Sequence, residues 1–107
     1  MIRSATLFPV LLALILPALP GAVLAQDAKA ANCAATAEIV RLAVEERAAG
    51  KDSAATAAFL TSDAAGIDAK YDTAIPALVD WVWTLEPGDL QKDVAGDFEK
   101  SCLAYEG

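Results

Sequence analysis

Apolar residues in this chain follow two patterns: one nearly unbroken block close to the start, then a helical recurrence that appears four times. The block runs from Leu7 to Leu19 behind Arg3, and it is closed by Pro20-Gly21 and by Val23-Leu24-Ala25. A short positive start, an apolar centre and small residues at the −3 and −1 positions predict an export signal cleaved after Ala25. The alternative is a retained anchor, because Leu7–Ala25 spans 19 residues, close to the roughly 20 that cross a bilayer. Pro9, Pro17, Pro20 and Gly21 interrupt the run, and Gln26-Asp27 follows it instead of a basic cluster; both features favour cleavage. The expected division is a signal peptide over 1–25 and a single small helical domain over 26–107.

Beyond the signal, the spacing predicts four helices. Gln26–Ala31 reads as a small polar leader, and Asn32 as the N-cap of a first helix that runs to about Ala49. Ile39, Val40 and Ala43 mark its apolar face, and Leu42 and Val44 its flanks. Glu38, Arg41 and Glu45 fall opposite, with Arg41 and Glu45 spaced for an i,i+4 ion pair. Gly50 is the expected stop. Asp52 or Ser53 caps a shorter helix to about Leu60, whose apolar weight is mainly Phe59 and Leu60. Thr61–Asp72 is polar and glycine-containing, a loop with room for one helical turn.

The third helix is expected from about Thr73 to Leu85, with Pro76 tolerated only in its first turn. On a helical wheel centred on Val82, Ile75, Leu78, Val79 and Leu85 fall within about 60°, and Trp81 and Trp83 lie about 100° to either side. Asp80, Thr84 and Ala77 point away. A broad apolar face with a tryptophan at each edge suits a central helix between two neighbours. Glu86-Pro87-Gly88-Asp89 reads as a turn in which Asp89 caps the last helix, where Val94, Ala95, Phe98, Cys102 and Tyr105 share one face. Gly96, inside that helix, offers a place for close approach of a neighbour.

Cysteine usage then constrains how these helices assemble. Cys33 and Cys102, 69 positions apart, are the only cysteines. In an exported chain an even count reads as a disulfide, and with two there is one pairing. Closing so long a loop stabilises by roughly 4 kcal/mol in the chain-entropy model, a large share for a small core. In an up-down-up-down bundle the start of the first helix and the end of the fourth share one end, and the two cysteines occupy those places. The expected fold is therefore all-α: a small antiparallel four-helix bundle, one helix short, closed by a disulfide between its first and last helices.

Charge and composition narrow the chemistry. The chain carries 8 basic and 15 acidic residues, a net charge of −7, and loss of Arg3 with the signal takes it to −8. Such a chain is repelled by nucleic acid and anionic lipid; its acidity reads first as a well-solvated surface and, as the alternative, suits a basic partner. It has no histidine, which removes the commonest general base and metal ligand. Asp63, Asp68 and Asp72 do not match a calcium-loop spacing, and Asp93 and Asp97 read as a solvated i,i+4 pair. Ser53, Ser62 and Ser101 lack an activating base, and no G-x-S-x-G is present. No catalytic residue, cofactor or metal site is expected.

What remains is binding. Tryptophan is enriched at the energetic centres of interfaces: Trp81 and Trp83 read first as core residues on the flanks of the third helix and otherwise as the candidate partner-binding residues, with Tyr71 beside the loop as a third, more exposed one. The expected function is that of a non-enzymatic periplasmic or secreted protein that binds another protein, as an accessory, inhibitor or immunity protein or as a chaperone-like protein triggered by acid. The alternative is a subunit of a membrane complex held by an uncleaved signal segment, the one case in which a membrane is involved.

Overall fold

Alanine-rich sequence carries the first helix much further back than the polar signal at Asn32 implies. In the computed structural model, which describes residues 20–106, α1 spans Pro20–Ala48. Ala22, Ala25, Ala28, Ala30 and Ala31 precede Asn32. Alanine is the best helix former, and a single interior asparagine costs less than about 0.7 kcal/mol against it. Asn32 is therefore an interior residue and not the N-cap. The expected leader Gln26–Ala31 is helical, and α1 passes without a break through Ala25-Gln26. Arg3 and the apolar run Leu7–Leu19 lie outside the described residues. No helix among the described residues is long and apolar enough to cross a membrane.

The far end of α1 follows its sequence closely. Gly50 takes φ +85°, its N–H donates to the Arg47 carbonyl at 3.0 Å, and the Lys51 N–H donates to the Glu46 carbonyl at 3.1 Å. This pair of reversed bonds is the Schellman stop, which needs a left-handed residue that glycine supplies cheaply. Asp52 then caps α2 (Ser53–Leu60), its carboxylate accepting from the Ala55 N–H at 2.7 Å. The following loop holds two single 3₁₀ turns, Asp63–Ala65 and Ala69–Tyr71. α3 spans Ile75–Thr84 with Pro76 in its first turn.

The last helix starts later than Asp89 implies. Asp89–Gln91 forms a separate 3₁₀ turn, and the N-cap of α4 (Val94–Ala104) is Asp93, whose carboxylate accepts from the Gly96 N–H at 3.0 Å. Both aspartates are competent caps. Asp93 has the helical residues directly after it, whereas Asp89 spends one carboxylate oxygen on the Glu86 N–H at 3.3 Å, within the turn. A Cβ at Gly96 would come within 2.2 Å of the Asp93 carboxylate, so the glycine makes room for its own helix cap.

The described residues are all helical, with α1 packed against α4, α3 and α2, and α2 packed against α3. The buried core is Ile39, Val40 and Ala43 of α1, Leu60 of α2, and Ile75, Val79 and Val82 of α3. Leu78, Trp83, Val94, Ala95 and Phe98 pack against it. Two members of the expected apolar faces stay outside: Phe59 is 42% and Tyr105 69% exposed. Phe59 precedes the buried Leu60 by one residue and so points about 100° away from it. Tyr105 ends α4 in extended backbone, off the helical face.

Cys33 and Cys102 are bonded, with Cα atoms 5.7 Å apart. The bond joins the first helix to the last, as expected, but Cys33 lies in the interior of α1 and not at its start. The shared-end argument for helix parity therefore loses its premise. Arg47 adds a second tie: its Nη1 donates to the Val82 and Leu85 carbonyls at 2.7 and 2.8 Å, placing a positive charge on the negative end of α3.

Candidate functional site

Helical spacing splits α3 into a core side and an outer side, and the outer side borders a cleft. Val79 and Val82 are fully buried, while Trp81, next to Val82, is 39% exposed. The Trp81 ring lies against Phe98 of α4, with centroids 5.9 Å apart and planes at 45°. Between them opens a cleft of about 320 Å³ that also takes in Leu85, Lys92, Val94 and Asp97. Its floor is aromatic and aliphatic, and its rim is charged. Lys92 pairs with Asp89 at 3.5 Å. Asp97, in the first turn of α4, is exposed and makes no side-chain hydrogen bond or ion pair among the described residues.

The three aromatic candidates do not converge. Trp81 lines this cleft, whereas Trp83 is half-buried against the core. Tyr71 is also half-buried there, and its hydroxyl donates to the Asn32 Oδ1 at 2.7 Å. Its expected exposure is corrected by that packing: the 3₁₀ turn Ala69–Tyr71 folds the ring onto the bundle, with Lys70 Nζ 5.2 Å from its centroid. Sequence reasoning missed Phe98 and Asp97 as partners of Trp81. Their i,i+4 relations to Val94 and Ser101 were visible, but which helix faces Trp81 is a tertiary fact.

A second hollow of about 390 Å³ lies beside the disulfide, lined by Lys29, Asn32, Cys33, Cys102, Tyr105 and Glu106. Lys29 Nζ donates to the Tyr105 carbonyl across it, fastening the early part of α1 to the end of α4. Cys33 is 1% exposed, so the bond is reached only from the Cys102 side.

Three of the remaining polar candidates are occupied locally, Ser62 by donating to the Phe59 carbonyl at 2.5 Å and two aspartates by backbone N–H groups. Asp68 accepts from the Lys70 N–H at 2.9 Å, and Asp93 caps α4. Among the described residues no group of three or more acidic or cysteine side chains is placed to hold a metal ion. On the outer face of α1, Arg41 pairs with Glu38 and Glu45. The hydrogen bond from Arg41 holds the Glu38 carboxyl below its ordinary value, and the same bond raises the guanidinium.

No protein-family model matches the chain, and comparison with curated proteins and with solved structures gave no match.

Proposed function

We propose that this is an exported, non-catalytic protein that acts by binding another protein through the outer side of α3 and α4. One observation carries the reading: a domain with a seven-residue buried cluster leaves a tryptophan 39% exposed above a second aromatic ring, on an open cleft. Large aromatic side chains in such a place are what interfaces use as anchors. The disulfide agrees with an oxidising compartment, and the acidity agrees with a basic partner.

The test is capture from the native cell envelope with a photo-crosslinking residue at Leu85, on the cleft wall. One stoichiometric partner, crosslinked there and lost in Trp81→Ala, is the expected result. Capture of nothing, or crosslinking that survives Trp81→Ala, contradicts it.

A second reading, a membrane-complex subunit with its leading segment retained, draws on the unbroken course of α1 through Ala25-Gln26. The intact mass of the protein from its native envelope separates the two: an amino terminus at Gln26 removes the anchored reading.

A further inference from the structure

The chemistry of the cleft is more specific than an apolar hollow, and it narrows the partner named above, on whose existence this inference rests. Lys92, the one basic residue lining it, is already paired with Asp89. Asp97 stands on the same wall with its carboxylate unpaired among the described residues. Ser101 follows one turn later, adding a hydroxyl in line with it. Trp81 lines the same cleft, 39% exposed and tilted against Phe98.

A neutral apolar occupant would cover Trp81 but would take Asp97 out of water without a partner, which is costly. An acidic occupant would add repulsion, in a chain whose net charge is already −7. An arginine satisfies both walls. Its planar guanidinium can lie on an aromatic ring and offer its forked donors to a carboxylate, while its methylene stem covers the ring edges. An aliphatic neighbour on the same segment would fill the space toward Leu85 and Val94.

We infer that the α3–α4 cleft receives an arginine from a cationic, amphipathic segment of the partner protein, with its guanidinium held between Trp81 and Asp97. The partner surface is accordingly basic, and the encounter is accelerated by charge and weakened by salt.

The probe is a helical peptide of arginine and leucine, with a glutamate–leucine peptide of the same pattern as control. Trp83→Phe leaves Trp81 as the only indole, so its emission reports occupancy directly. The arginine peptide is expected to change that emission saturably and the glutamate peptide not at all. Asp97→Asn should weaken binding about twofold to fivefold. Asp97→Lys should reverse the preference toward the glutamate peptide. Asp97 is an exposed helix residue, and unchanged thermal unfolding of its variants shows that the fold is retained. Equal binding of both peptides, or an Asp97→Lys variant that still prefers arginine, overturns the inference. If neither peptide binds while a partner still crosslinks at Leu85, the arginine assignment fails and the binding reading stands. Absence of any crosslinked partner removes the reading beneath it.

Discussion

The two sides of α3 make an instructive contrast. Its inner side, Ile75, Val79 and Val82, is wholly buried against Ile39, Val40 and Leu60. Its outer side holds Trp81, 39% exposed and tilted against Phe98. Ten residues of helix thus carry one fully buried stripe and, beside it, a tryptophan left partly in solvent. Phe59, Leu103 and Tyr105 are more exposed still; what sets Trp81 apart is the cleft it shares with Phe98. The contrast predicts that inner-side changes cost stability and that outer-side changes cost binding.

The largest effect should come from the bond that ties the first helix to the last. Replacing Cys33 and Cys102 by alanine is expected to cost roughly 4 kcal/mol, read as a fall in the urea midpoint, and a loss below about 1 kcal/mol would show that packing alone closes the fold. Next is the inner side itself: Ile39→Ala, at a fully buried position, should lose about 2–5 kcal/mol in the same assay. Arg47→Met removes the donor to two α3 carbonyls and should cost about 2 kcal/mol, with the end of α3 losing amide-exchange protection before its start.

The outer side should respond differently. Trp81→Ala gives up one tilted aromatic contact and partial burial, about 0.5–1.5 kcal/mol beyond the area lost. The smallest effect belongs to the solvated face of α1. Because Arg41 lowers the Glu38 carboxyl, the pair stabilises the fold above the ordinary carboxylate value of 4.5. That contribution is lost as pH falls through the lowered folded value. Glu38→Gln should flatten this part of the acid-unfolding profile and leave the neutral midpoint almost unmoved, since both partners are half exposed and solvent screens them.

How much of this was legible before the structure depends on whether the signal was local. The Asp52 cap, the Gly50 stop, Pro76 in the first turn of α3 and the inward face Ile75–Val79–Val82 all follow from neighbours within a few residues. The ion pair between Arg41 and Glu45 does too. The errors arose where two local signals competed. Asn32 is a good cap, but the alanines before it make helix continuation cheaper than a start. Asp89 and Asp93 are equally able caps, and the turn between them consumed the first.

The candidate site was half legible. Trp81 stood at the edge of its wheel, yet nothing in the sequence distinguished it from Trp83 at the other edge. Only the placement of α4 decides that Phe98 faces Trp81 and that Trp83 turns to the core. Tyr71 was misjudged for the same reason, since its bond to Asn32 links positions 39 apart in sequence.

The central claim, that folding and binding occupy opposite sides of α3, is tested most directly by Trp81→Ala assayed in parallel for urea unfolding and for partner capture. The account predicts cooperative unfolding with a midpoint lowered by less than in Ile39→Ala, together with loss of the captured partner. A variant that fails to fold, or one that folds and still captures its partner, would contradict it.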